Sequence, residues 1–139
     1  MDAHRVALVV EDDPTLQDAM KRHLEAMGLR VVVSFDYRKA VSHLTALTPD
    51  VVSVDLGLPA ESGYEFCEYV RSQPALAGVP ILVTSDRSFP DDMARAEEAG
   101  ANAFLLKPFS MTQLEAAIKM LLADAPAASR PWVRRLRWT

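Results

Sequence analysis

The sequence predicts an α/β fold, a doubly wound parallel sheet, on three observations. Short apolar runs alternate five times with stretches of helical periodicity. The runs, such as Val6-Ala7-Leu8-Val9-Val10 and Ile81-Leu82-Val83, are rich in β-branched residues and show no apolar–polar alternation, the pattern of strands buried on both faces. Four of them stop on residues that can handle a phosphoryl group or a metal: Glu11-Asp12-Asp13, Asp55, Thr84-Ser85 and Lys107-Pro108. In open sheets of this kind the ligand sits at the carboxyl ends of the strands.

The elements follow in order. Strand one, about 5–10, leads to a helix from about Pro14 to Met27. Asp13 suits its N-cap, Pro14 its first position and Gly28 its end. Leu16, Met20, Leu24 and Met27 share its apolar face. Strand two is 31–33. A helix from about Asp36 to Leu47 turns Ala40, Val41, Leu44 and Leu47 inward, with Pro49 beyond it. Strand three is 51–54. Helix three opens on Ser62-Gly63-Tyr64-Glu65, a capping box, and buries Phe66 and Val70. Strand four is 81–83, and helix four runs from about Pro90 to Ala99, stopped by Gly100. Strand five is 103–106. Helix five opens on a second capping box, Ser110-Met111-Thr112-Gln113, and buries Leu114, Ala117, Ile118 and Leu121. Strict alternation with right-handed crossovers points to the flavodoxin-like (βα)5 arrangement, strand order 2-1-3-4-5.

The 139 residues suffice for one domain with a real core. Composition shifts after Ala123, so the expected domain is 1–123, followed by a Pro/Ala linker and a basic, aromatic tail over 124–139. The tail holds Arg130, Arg134, Arg135 and Arg137 against Asp124, a charge of +3; with a net charge of −4 the body carries −7. An acidic body argues against nucleic acid as a direct ligand. No apolar stretch approaches the ~18 residues of a membrane span, and the N-terminus lacks the apolar core of a signal peptide. A cytoplasmic location is expected. Cys67 is the lone cysteine, reads as a small buried hydrophobe and cannot form an internal disulfide. His4, His23 and His43 show no ligand or triad spacing.

Chemistry concentrates at the strand ends. Glu11, Asp12 and Asp55 would repel one another unless a cation intervenes. Oxygen-only ligands select a hard divalent ion, Mg²⁺ with Mn²⁺ as a substitute. Lys107 adds a positive charge and Thr84 a hydroxyl. A carboxylate nucleophile beside a metal, an ammonium and a hydroxyl is equipped for in-line attack on phosphorus, giving an aspartyl phosphate.

In these features the chain resembles the receiver domain of two-component response regulators, over about residues 4–123. The motifs are Val9-Val10-Glu11-Asp12-Asp13, Val54-Asp55-Leu56-Gly57-Leu58-Pro59, Val83-Thr84-Ser85 and Lys107-Pro108-Phe109. The resemblance implies that Asp55 is the phosphoacceptor and that Asp12 binds the metal directly, with Glu11 acting mostly through water and the backbone carbonyl of Gly57 completing the set. It implies that Thr84 and Lys107 hold phosphoryl oxygens, that Phe104 is the switch aromatic, that Gly57 and Asp86 tune the lifetime of the phosphoryl group, and that Lys107–Pro108 is cis. The implied partners are a sensor histidine kinase or a histidine phosphotransfer protein, with the output unspecified and a homodimer left open. The implied role is regulatory rather than enzymatic: phosphorylation switches the face formed by helix four, strand five and helix five. The chain departs from the common pattern in having Gly57 where a bulky residue is usual, and Glu61-Ser62-Gly63 where Met-Asp-Gly is frequent.

Three rival readings meet the same residues. A haloacid-dehalogenase-like phosphohydrolase needs a second Asp two residues after the nucleophile, where Gly57 stands. A nucleotide or flavin binder wants a glycine- or hydroxyl-rich loop after strand one, where the acidic Glu11-Asp12-Asp13 stands. A docking module that works without phosphorylation would not need the full constellation.

Overall fold

A computed structural model describes residues 5–57, 60–86 and 90–123. The elements are β1 (Val6–Val10), α1 (Pro14–Ala26), β2 (Arg30–Ser34), α2 (Tyr37–Leu44), β3 (Val51–Asp55), α3 (Ala60–Ser72), β4 (Ile81–Ser85), α4 (Pro90–Glu98), β5 (Ala103–Leu106) and α5 (Met111–Ala123). The five strands form one parallel sheet in the order β2-β1-β3-β4-β5. This is the flavodoxin-like arrangement that the alternating pattern predicts.

Two apolar clusters flank the sheet, because successive side chains of a strand point to opposite faces. Leu8, Val10, Val52, Val54, Ile81, Val83 and Phe104 meet Ala40 and Leu44 of α2, Phe66, Cys67 and Val70 of α3, and Ala96 of α4. Ala7, Val9, Val51, Leu82, Ala103 and Leu105 meet Met20 and Leu24 of α1 and Leu114, Ile118 and Leu121 of α5.

Helix ends follow local chemistry. Asp13 caps α1 by accepting from the Thr15 amide at 3.0 Å, and Asp36 caps α2 by accepting from the Lys39 amide at 2.7 Å. At α5 the Ser110 hydroxyl accepts from the Gln113 amide at 3.0 Å, while the Gln113 side-chain oxygen accepts from the Ser110 amide at 2.8 Å. That is the reciprocal capping box the sequence predicts. Two boundaries differ from the sequence reading. Helix α3 starts at Ala60, so Ser62 lies inside its first turn rather than before it; Ala60 and Glu61 are good helix formers and follow Pro59 in sequence. Helix α2 stops at Leu44, where the Thr45 hydroxyl turns back to the Ser42 carbonyl at 2.7 Å and competes with helical propagation. The expected tail, 124–139, lies outside the described residues.

Between α3 and β5, Arg71 ties loops together. Its guanidinium donates to the carbonyls of Ala77 (3.1 Å), Val79 (2.6 Å) and Gly100 (2.7 Å) and to Asn102 Oδ1 (2.7 Å). Asn102 Oδ1 also accepts from the Ile81 amide at 2.8 Å. Gly100 has a φ of +113°, a backbone conformation open to glycine at little cost.

Candidate functional site

Strand parity builds the site. Asp55 pairs in register with Thr84 on the neighbouring strand. Glu11 continues the parity of Ala7 and Val9, and Lys107 that of Ala103 and Leu105, so all four project to one side of the sheet edge. The structure brings Glu11, Asp12 and Asp55 together, with one carboxylate oxygen from each lying within 4.8 Å of the others. Glu11 and Asp55 are buried, and Asp12 is exposed.

Lys107 bridges the two buried carboxylates. Its ammonium donates to Asp55 Oδ2 at 3.1 Å and to Glu11 Oε2 at 3.2 Å. It also stands 3.0 Å from Glu11 Oε1, out of line for a hydrogen bond. The Asp13 amide donates to Glu11 Oε2 at 3.1 Å, and the Gly57 amide to Asp55 Oδ1 at 2.8 Å. Burial pushes the Glu11 carboxyl above the usual range, against the pull of the Lys107 and Asp13 hydrogen bonds, and the nearby Asp55 charge adds to the rise. Burial works to lower the Lys107 ammonium, but its bonds to Glu11 and Asp55 outweigh this and raise it, keeping it charged.

Glu11 Oε1 is a buried oxygen that makes no hydrogen bond, although the Lys107 ammonium stands 3.0 Å from it. A buried acceptor left this way costs free energy unless a cation or water satisfies it. With two further carboxylates close by, the donor set fits a hard divalent cation.

The other expected residues are placed as follows. Thr84 is buried beside Asp55, and its carbonyl accepts from the Leu56 amide at 2.9 Å. Gly57 is exposed, and a Cβ there would lie 3.1 and 3.3 Å from the two Asp55 carboxylate oxygens. Asp86 is exposed just past β4. Phe104 is buried on the opposite face of the sheet, in the cluster of α2, α3 and α4, and is not part of the polar group. Lys107–Pro108 is cis.

Two supporting side chains escape a reading of the sequence. The buried Gln17 amide donates to the carbonyls of Glu11 (3.0 Å) and Ser34 (3.1 Å), stitching the ends of β1 and β2. Its signal was available: Gln17 is the polar member of an i, i+3, i+7 series with Met20 and Leu24. The Tyr37 hydroxyl donates to the Asp55 carbonyl at 2.6 Å, a contact made between α2 and β3 that no local pattern announces.

A flavodoxin-like sheet with an acidic pair, a strand-end aspartate, a threonine and a lysine at its carboxyl edge defines a phosphosignalling class of domain. The response regulator receiver domain family matches residues 7–119, and the chain belongs to that family. It is 33% identical over 124 residues to the KDP operon transcriptional regulatory protein KdpE of Escherichia coli K12, covering 89% of this chain and 54% of the relative. It is 32% identical over 118 residues to the phosphate regulon transcriptional regulatory protein PhoB of the same organism, covering 85% and 52%. The chain thus spans about half the length of these curated relatives. Among solved structures it resembles the chemotaxis response regulator CheY4 of Vibrio cholerae, at TM-score 0.81 and 26% identity, covering 86% of this chain and all of that one. It also resembles the receiver domain of sensor histidine kinase PA1611 from Pseudomonas aeruginosa PAO1, at TM-score 0.79 and 28% identity, covering 88% and 100%. The PA1611 receiver has a magnesium ion coordinated in its active-site cleft.

Proposed function

We propose that this domain accepts a phosphoryl group on Asp55 from a histidine kinase or histidine phosphotransfer protein and relays the change through its surface. The observation that carries the proposal is the Lys107 bridge from buried Asp55 to buried Glu11, beside an oxygen of Glu11 that makes no hydrogen bond.

Glu11, Asp12, Asp55 and the Gly57 carbonyl would hold Mg²⁺, or Mn²⁺ in its place, as the magnesium-bearing PA1611 receiver suggests. The bound ion neutralises charge on the carboxylates and on the incoming phosphoryl oxygens. The residues do the rest. Asp55 Oδ attacks phosphorus in line, forming a P–O bond as the P–N bond of a phosphohistidine breaks and the imidazole departs with the electron pair. Lys107 and the Thr84 hydroxyl stabilise the phosphoryl oxygens. Once Thr84 turns toward them, the end of β4 shifts against β5, and Phe104, paired in register with Val83 on the other face, takes a new rotamer, shifting the population of the α4–β5–α5 face. Gly57 leaves one side of Asp55 open to water, and Asp86 orients it, which favours fast self-dephosphorylation.

The reading makes the protein a regulator rather than an enzyme acting on external substrates, and a cytoplasmic location goes with it. Among the described residues no helix is long and apolar enough to cross a membrane. The domain boundary is proposed at Ala123, where the composition shifts to Pro, Ala and Arg, so deleting 126–139 should leave phosphorylation intact, with any homodimer free to change.

Incubation with acetyl phosphate and Mg²⁺ tests the proposal. The wild type should take up one acid-stable, hydroxylamine-labile phosphoryl group and Asp55→Asn none; Thr84→Ala should impair the response more than it impairs Mg²⁺ binding. Equal uptake by Asp55→Asn means that another residue is the acceptor.

A further inference from the structure

The carbonyl of Asp55 has a dedicated partner. Tyr37, the first residue of α2, donates its hydroxyl to it at 2.6 Å. A peptide's N–H and C=O point in opposite directions. The Leu56 N–H of this peptide points to β4, where it meets the Thr84 carbonyl at 2.9 Å. The Asp55 C=O therefore points to the β1 side, where pairing has already ended at Val10 with Val54. Tyr37 takes the place of the missing strand partner.

The tyrosine is itself held in place. Its ring stacks on Phe66 of α3, with centroids 5.9 Å apart and planes at 24°. Gly63, inside α3, leaves room for it: a Cβ there would come within 2.8 Å of the Tyr37 hydroxyl and 2.6 Å of Leu56 Cδ2. Glycine is a poor helix former, so its presence within a helix asks for a packing reason. A hydroxyl that needs that volume supplies one.

We propose that Tyr37 is a positioning residue for phosphoryl transfer to Asp55, and that Gly63 is the vacancy that admits it. The proposal rests on the reading of Asp55 as phosphoacceptor. The carboxylate is oriented at its tip by the Gly57 amide and Lys107. Its root, the peptide between Asp55 and Leu56, is clamped on one side by Thr84 and on the other by Tyr37. A tilt of that peptide swings the attacking oxygen out of line and carries Gly57 with it. Misplacement on the scale of an ångström is enough to slow a positioned reaction substantially.

Tyr37→Phe keeps the stacked ring and removes only the hydroxyl. At saturating Mg²⁺ it should slow phosphorylation by acetyl phosphate about three- to tenfold, with Mg²⁺ affinity within about twofold and the urea midpoint lowered only modestly, by the loss of one hydrogen bond. A rate equal to wild type, or a rate that falls only in step with Mg²⁺ affinity and stability, overturns the positioning role. Gly63→Ala should slow the wild-type background more than the Tyr37→Phe background, where the clash with Leu56 Cδ2 remains but that with the hydroxyl is gone; fully additive losses refute the Gly63 part. The ¹⁵N shift of the Leu56 amide reads the Asp55 carbonyl bond with no phosphoryl donor present. An unmoved Leu56 signal in Tyr37→Phe defeats the proposal alone, whereas phosphorylation of Asp55→Asn defeats the acceptor assignment beneath it.

Discussion

Lys107 reaches past the end of β4 to set its ammonium 3.1 Å from Asp55 Oδ2, two strands away. The same ammonium holds Glu11, so one cation serves two buried anions. Lys107→Met should therefore lower stability in EDTA by roughly 1–3 kcal/mol, the worth of charged hydrogen bonds at a mostly buried site. Mg²⁺ should restore more stability to the variant than to the wild type, because the ion no longer meets a resident positive charge. Urea melts with and without Mg²⁺ check this; an equal gain in both proteins contradicts it.

Gly57 sits directly against the Asp55 carboxylate without a side chain to cover it. A side chain begun 3.1 Å from Oδ1 would cover the approach of water. Gly57→Met should slow self-dephosphorylation by about threefold, roughly 0.6 kcal/mol on the barrier, as followed by loss of label after removal of the donor. An unchanged rate would mean that water arrives from another side.

Arg71 satisfies three loop carbonyls and Asn102 with one guanidinium. Arg71→Ala leaves the part-buried Val79 and Gly100 carbonyls without its donors, and should cost about 2–4 kcal/mol in urea unfolding. Arg71→Lys should recover little, because a single ammonium cannot span the fork. Full recovery would show that charge alone matters there.

Glu115 on α5 pairs with Lys119 at 2.7 Å and with His23 of α1 at 2.6 Å. The Lys119 hydrogen bond, and then that of His23, hold its carboxyl below the ordinary 4.5. A depressed carboxyl stabilises the fold above pH 4.5 and loses that contribution as the pH falls through its folded value. The difference in urea midpoint between wild type and Glu115→Gln should be present at pH 7 and shrink as the pH falls below 4.5. A gap that persists in acid would place the effect in packing.

Cys67 is fully buried in α3, and burial pushes its thiol up to about 12. An aromatic disulfide reagent at pH 8 should label it only as fast as the protein unfolds, and urea should accelerate labelling in step with unfolding. Rapid labelling of the native state would require an opening near α3.

Much of this was legible in the sequence because it is local. Strand runs, the Asp13 cap, the Ser110–Gln113 box and the order of polar strand ends depend on neighbours along the chain, and the structure reproduces them. The grouping of Glu11, Asp12 and Asp55 follows once the strand order is known. What stayed hidden depends on contacts across the fold. The end of α2 was set by Thr45 turning back on Ser42, a choice that helical periodicity does not register. Tyr37 has no local pattern to mark it, and only the meeting of α2, α3 and β3 gives its hydroxyl a task. Arg71 carries no local signal of its task, since its acceptors lie up to 31 residues away in sequence.

The sheet that separates the two apolar clusters is also a partition for protein engineering. Phe104 belongs to one cluster, while Ala103 and Leu105 on either side of it belong to the other. Volume changes on opposite faces share no side-chain contacts, so their effects should combine by simple addition. Half of the interior can thus be redrawn, for instance to bias the surroundings of Phe104, while the packing of α1 and α5 is kept as it stands.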